Sequence, residues 1–190
     1  TRQLNKLFKN SDIYSFEPSK DSFEILKNNF KEYEKVKCIN KGLENFTGQT
    51  KIYADKSGSR LSSLTRRKLD YLNISFDHSE MVEIITFDDF WKENLNKKIV
   101  DLLKLDVEGH ELNVLKGSIN AIEFIRVIQF EFGGCNLDTR TFFKDFWYFF
   151  DKFNFEIFRL TPHGLKKVEK YTENLEYFIT TNYFAINKSL

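Results

Sequence analysis

The chain reaches Gly42 before its first glycine and carries only eight in 190 residues. No glycine-rich loop, whose small residues let backbone approach a nucleotide, therefore precedes residue 42. Cysteine is as scarce. Cys38 and Cys135 stand far apart and in no disulfide or metal-ligand spacing, which argues against a disulfide scaffold and a zinc site and suggests a cytoplasmic setting. Charge of one sign is also lacking: 29 basic and 28 acidic side chains leave a net charge of +1, with no global attraction to nucleic acid or an anionic membrane. No apolar run approaches the ~18 residues that span a bilayer, and no basic-then-apolar leader pattern opens the chain. Phenylalanine, by contrast, occurs 21 times. With this length it can build a substantial core, and residues 1–190 are expected to form a single domain.

The most informative stretch is Lys98 to Ser118, KIVDLLKLDVEGHELNVLKGS. Ile99 to Leu105 is apolar enough for a central, mostly parallel strand buried on both faces. Polarity then switches to Asp106, Glu108, His110 and Glu111 around Gly109, after which Leu112, Leu115, Ile119 and Ile122 recur at helical spacing. Strand, acidic turn and helix follow in order. In open α/β sheets ligands bind outside the carboxyl ends of strands, so this turn is where chemistry is first sought. Acidic residues at a helix start also offset its partial positive charge and cap free N–H groups, which requires no ligand.

Upstream, Leu4, Leu7 and Phe8 mark an amphipathic helix and Ile13 to Phe16 a short strand closed by Glu17-Pro18. Phe23, Leu26 and Phe30 then share one face of a helix over Ser19 to Phe30. A carboxylate at such a strand tip can hold both hydroxyls of an adenosine ribose, and a Glu-Pro pair can equally be a plain helix entry. Val36 to Asn40 reads as a strand, followed by a turn at Lys41-Gly42, a strand over Gly48 to Ala54 and a Ser-rich mobile loop over Ser57 to Leu64. That loop can close over a substrate or be an ordinary connection. Met81 to Ile85 is a strand, and Thr86 a cap for a helix carrying Phe87, Phe90 and Trp91.

Arg126 to Phe132 alternates into a strand ending at Glu131. That carboxylate can touch an acceptor or Asn136, or be a partly exposed strand end. Thr141 to Phe153 is an aromatic helix read as a packing face. Phe155 to Leu160 and Leu165 to Val168 flank Thr161-Pro162-His163-Gly164 as a hairpin, and Asn182 to Asn187 is the last strand. His110-Glu111 begins like the zinc-protease pattern H-E-x-x-H, but Val114 stands where its second histidine belongs, and no metal is expected.

Lys104-Leu105-Asp106-Val107-Glu108-Gly109-His110-Glu111, with Leu115-Lys116-Gly117, resembles the signature of the FkbM family of S-adenosylmethionine-dependent methyltransferases. The likeness extends to Tyr14-Ser15-Phe16-Glu17-Pro18, to Ser62-Ser63-Leu64 and through the C-terminal strands. It implies a Rossmann-like class I sheet, mostly parallel with an antiparallel C-terminal finish. Because the first glycine is Gly42, it further implies that the first strand and glycine motif are missing ahead of Thr1, or that another segment does their work. It implies S-adenosylmethionine as cofactor, held by Glu17, Pro18, Lys41, Gly42 and Asp106. It also implies O-methylation of a small-molecule or glycan hydroxyl.

Methyl transfer from a sulfonium is an in-line displacement, so a site must align donor and acceptor, exclude water and take a proton. Asp106, Glu108 and His110 are the catalytic candidates. Imidazole is the side chain whose ordinary titration lies nearest neutrality. Asp106 is expected to seat cofactor or acceptor, and His110 or Glu108 to take the proton. Glu131 is the expected substrate contact. Two other readings stay open: a non-catalytic methyltransferase-like module within a larger glycan-modifying protein, and a dinucleotide oxidoreductase, which needs the absent glycine loop.

Overall fold

The computed structural model describes residues 1–59 and 61–190; Arg60, inside the expected Ser-rich loop, lies outside the described residues. The chain divides into two compact units, residues 1–43 with 47–85, and residues 44–46 with 86–190.

In the first unit α1 (Arg2–Leu7) leads to β1 (Ile13–Phe16), whose end at Glu17-Pro18 follows from the extended geometry that proline imposes on the residue before it. α2 (Lys20–Phe30) buries Phe30 and half-buries Phe23 and Leu26 on the same face. β2 (Val36–Ile39) pairs parallel with β1, Ile13 opposite Val36 and Phe16 opposite Ile39. A second sheet joins β3 (Gly42–Leu43), β4 (Gly48–Ala54), β5 (Ser62–Ser63) and β6 (His78–Ile85) in the order β3-β6-β4-β5. Ile52, Val82 and Ile84 form its core, with Leu64 packed against them, while Met81 and Glu83 alternate outward, as a half-buried strand requires. Part of the expected Ser-rich loop is strand, at Ser62 and Ser63. Ser62 and Ser63 pair with Ala54 and Tyr53, giving buried backbone its hydrogen bonds.

In the second unit α3 (Phe87–Asn94) is capped as expected, the Thr86 hydroxyl accepting from the Asp89 N–H at 3.0 Å. β7 (Val100–Lys104) leads through the acidic turn to α4 (Glu111–Lys116), then to β8 (Ile125–Phe132), α5 (Cys135–Thr139), α6 (Phe143–Lys152), β9 (Phe155–Thr161), β10 (Gly164–Lys167) and β11 (Thr181–Asn187). Five strands form one sheet, β10-β9-β11-β8-β7. Phe143, Phe146 and Phe150 of α6 are wholly buried against it. Phe130 stacks on Phe146 at 4.9 Å between centroids, and Phe143 meets Tyr183 at 4.8 Å. The aromatic stripe is a packing face.

Three expectations change. β7 is not buried on both faces: it ends the sheet, pairing with β8 alone among the described strands, and Asp101 and Lys104 are exposed. Parallel pairing is not the majority, since β1-β2, β3-β6 and β7-β8 are parallel and five described pairings are antiparallel. α4 stops at Lys116 rather than running on through Ile119 and Ile122. Gly117 packs on residues 44–46, where a Cβ would meet the Asn45 Cα at 3.1 Å. The Asp88 carboxylate then gathers the N–H groups of Asn120 and Ala121 at 2.9–3.0 Å, fixing a turn in place of more helix.

Candidate functional site

The turn after β7 is built on two left-handed residues, Glu108 at φ 53° and Gly109 at φ 98°. A Cβ on Gly109 would come within 2.9 Å of the Cys135 carbonyl oxygen, so the close approach of α5 calls for glycine there. Glu111 closes the turn. Its Oε1 accepts from the N–H groups of Val107 at 3.1 Å and Gly109 at 3.3 Å, while Oε2 has no hydrogen-bond partner among the described residues. Glu111 is only 2% exposed, and burial pushes its carboxyl up to about 7 against the opposing pull of those N–H groups. The structural role weighed for an acidic turn therefore falls to Glu111.

The other carboxylates do different things. Asp106 lies at the surface, 2.6 Å from the Lys104 ammonium. Glu108 Oε2 accepts from the Cys135 thiol at 2.9 Å. Glu131, at the end of β8, accepts from the Asn182 amide at 3.3 Å, and its carboxyl is raised above the ordinary range by burial first and then by Asp106 and Glu108. Glu108, Glu111 and Glu131 line one cavity of about 10 Å³, shared with Cys135, Asn136 and Thr180. Asn136 is 2% exposed. Its Oδ1 accepts from the Gly133 N–H at 2.9 Å, and its Nδ2 has no partner among the described residues.

His110 is directed elsewhere. Its Nδ1 lies 2.8 Å from Glu44 Oε2, and it is not among the residues lining the cavity.

In the first unit, Glu17 Oε1 accepts from the N–H of Ser19, the residue that opens α2, at 3.0 Å, and the Ser19 hydroxyl donates to Glu80 at 2.6 Å. The Glu17 carboxyl is raised, by burial first and then by the Glu80 charge. Asn40 ties the tip of β1 to that of β2, its amide donating to the carbonyls of Glu17 at 2.9 Å and Pro18 at 3.1 Å. Gly42 is the first residue of β3 rather than part of a turn, and a Cβ on it would press Ile84 at 3.3 Å and Pro18 at 3.4 Å. Lys41 reaches Glu83 at 3.5 Å.

The sequence pattern of the Methyltransferase FkbM domain matches residues 2–157. The chain belongs to the FkbM methyltransferase family. A curated relative, "Methyltransferase 1" of Beauveria bassiana (strain ARSEF 2860), is 26% identical over 131 residues, 62% of this chain and 53% of the relative. The chain thus spans about half the length of that relative. The crystal structure of Methyltransferase FkbM from Methylobacillus flagellatus KT superposes with a TM-score of 0.51 at 17% identity, over 96% of this chain and 39% of that one. That likeness bears on fold alone and agrees with a mixed α/β architecture.

Of the residues expected to serve this FkbM chain, the fold brings Glu108 and Glu131 to one cavity and leaves Asp106 close enough to act on Glu131 through its charge. Sequence reasoning missed Glu44 and Thr180, and named Asn136 only as a contact of Glu131, whereas its Oδ1 is held by the Gly133 N–H and Glu131 accepts from Asn182. Their roles arise from positions far apart in the chain, and no local spacing announces them. Among the described residues no three His, Cys, Asp or Glu side chains gather as a metal-binding group, and no helix is long and apolar enough to cross a membrane.

Proposed function

We propose that this chain serves S-adenosylmethionine-dependent O-methylation of a hydroxyl on a sugar or other small metabolite, with residues 1–190 acting in the cytoplasm as one class I domain with a Rossmann-like sheet. The observation that carries the reading is Glu131. It is a strand-end carboxylate lining a cavity, with its proton affinity raised by burial and by two neighbouring carboxylates, the direction that makes a carboxylate a better general base. Membership of the FkbM family and the name of the fungal relative support the class of reaction.

The residues present fit the ribose end of the cofactor. Glu17 sits at a strand tip, spends Oε1 on Ser19 and has no hydrogen bond at Oε2 among the described residues, so it can accept from ribose hydroxyls. Pro18, Lys41 and Gly42 would flank the nucleoside. S-adenosylmethionine, when bound, supplies an electrophilic methyl carbon on a sulfonium.

The rest of the chemistry belongs to the chain. Glu131 accepts the hydrogen bond of the acceptor O–H and takes its proton as the oxygen becomes nucleophilic. Glu108, steadied by the Cys135 thiol, keeps that proton affinity high. Asp106, tethered by Lys104, seats the acceptor. Of the sequence candidates for the base, Glu108 lines the cavity and His110 does not, so His110 positions the turn through Glu44.

Glu131→Gln, Glu108→Gln, Asp106→Asn and His110→Ala, made singly in the full-length protein, test the assignment by methyl transfer to a panel of hydroxylated sugars. Glu131→Gln is expected to lower kcat by roughly 10²–10⁴-fold, and Asp106→Asn to act mainly on KM. Unchanged turnover in Glu131→Gln would remove Glu131 as the base.

A further inference from the structure

Two side chains that line the cavity each carry a buried polar atom that the described protein leaves unsatisfied, and the two atoms are of opposite kind. Glu111 Oε2 is an acceptor while its carboxyl is ionised, and Asn136 Nδ2 is a donor. Each orientation is fixed by the other end of its group. Glu111 Oε1 is held by the N–H groups of Val107 and Gly109, and Asn136 Oδ1 by the N–H of Gly133, so the amide nitrogen is the atom left over. Both side chains are 2% exposed, and a polar group buried without a partner is destabilising. Native chains rarely leave two such groups on one cavity without a use.

We infer that this cavity is a hydroxyl-reading subsite, in which a single ligand O–H donates to Glu111 Oε2 while its oxygen accepts from Asn136 Nδ2. A volume of about 10 Å³ admits one water-sized group. Chemistry narrows what that group is. A carboxylate or phosphate has no proton for Glu111 and meets the negative charge of Glu108 and Glu131 at the same wall. An ammonium satisfies Glu111 but opposes its own N–H groups to the Asn136 amide. Of these three classes of ligand, only a hydroxyl answers both the ionised Glu111 and the Asn136 amide.

The inference rests on the O-methylation reading for its biological sense. With Glu131 holding the hydroxyl that reacts, a second hydroxyl read by Glu111 and Asn136 makes the acceptor a neutral polyol with two neighbouring hydroxyls, a description that sugars meet and monohydric alcohols, acids and phosphoesters do not. Glu108, Cys135 and Thr180 would line the approach.

Backbone amide NMR of the wild-type chain at pH 8, where the Glu111 carboxyl is ionised, titrated at matched concentrations with methanol, methylammonium chloride and sodium formate, tests the subsite without any methyl transfer. A saturable shift at Gly109 and Gly133 with methanol, at least about tenfold weaker with the other two, is expected. Glu111→Gln turns the acceptor into a second N–H donor while keeping Oε1 for the turn, so it should weaken methanol and strengthen formate; Asn136→Leu should weaken methanol alone. No saturable methanol shift in wild type, equal response to all three probes, or unchanged methanol affinity in both variants overturns the proposal. Kinetics with polyol acceptors then separate the two readings. Methyl transfer that both variants leave unaltered in KM sinks the subsite and spares the activity. Selective methanol binding without methyl transfer to any acceptor spares the subsite and sinks the activity.

Discussion

The Nδ1 of His110 lies 2.8 Å from Oε2 of Glu44, its partner 66 positions earlier in the chain. The side chains are 13% and 4% exposed, and the second Glu44 oxygen accepts from the Asn45 N–H at 3.1 Å. The contact fastens residues 44–46 to the start of α4, next to the point where Gly117 leaves no room for a side chain. Removing one member of a buried pair strands the other, at a cost of about 3 kcal/mol. Glu44→Ala and His110→Ala should each lose about that much stability in urea melts, and the double variant less than their sum, since they share one interaction. Single-variant losses within about 0.5 kcal/mol, the range of an ordinary surface change, would show that the pair fastens nothing.

Glu111 makes stability depend on pH in a stated direction. Its carboxyl titrates at 4.5 when unfolded and at about 7 when folded, so the folded state binds the proton more tightly. The stability this brings is fully present below pH 4.5 and is lost as pH rises through 7. The rise from 4.5 to about 7 corresponds to about 3 kcal/mol. Glu111→Gln cannot ionise and should lack this slope, gaining on wild type as the buffer moves from pH 5 to pH 8. Urea melts at several pH values check it; parallel stability curves for the two proteins would contradict it.

Much of the backbone was legible because its signals are local. The alternation from Gly48 to Ala54, the Phe142-to-Phe153 spacing and the Thr161-Pro162-His163-Gly164 turn each encode their element within a few residues, and the structure has β4, α6 and the β9–β10 hairpin there. The acidic turn and Glu131 were readable as strand-end carboxylates for the same reason. What stayed hidden is set by partners distant in sequence. α4 stops at Gly117 because residues 44–46 lie against it, β7 is exposed at Asp101 because it ends its sheet, and the cavity exists because α5 lays Asn136 beside Glu111. No periodicity in Lys98 to Ser118 carries that information.

Gly133 and Gly134 are neighbours with opposite tolerance. A Cβ on Gly133 would come within 2.6 Å of the Thr180 backbone nitrogen and still nearer its Cα, while one on Gly134 meets nothing within 4 Å. Backbone atoms cannot swing aside as a side-chain end can, so Gly133→Ala must push β8 and the segment at Thr180 apart. It should cost about 3 kcal/mol, the scale of a severe overpacking change. Gly134→Ala should stay within about 0.5 kcal/mol of wild type. Thermal melts of the two variants, side by side, decide it, and equal stability would mean that the chain crossing at Gly133 is looser than its geometry states.

Glu17 has two uses that can be separated. As a local hydrogen-bond acceptor, its Oε1 holds the Ser19 N–H, which is worth about 1 kcal/mol. As a ribose ligand it needs a carboxylate, since only the ionised group offers both oxygens as acceptors to two hydroxyls. Burial and the Glu80 charge raise its proton affinity, so that form is lost at a higher pH than for an ordinary glutamate as the solution is acidified. S-adenosylmethionine affinity, measured by titration calorimetry on the full-length protein, should therefore weaken on acidification in wild type. Glu17→Gln keeps one acceptor oxygen and should bind at least about tenfold more weakly, a difference of about 1.4 kcal/mol, with little pH dependence. Glu17→Ala should lose the Ser19 hydrogen bond as well. If both variants bind as wild type does while Glu17→Ala loses only the stability of that bond, Glu17 is a helix entry and the ribose is held elsewhere.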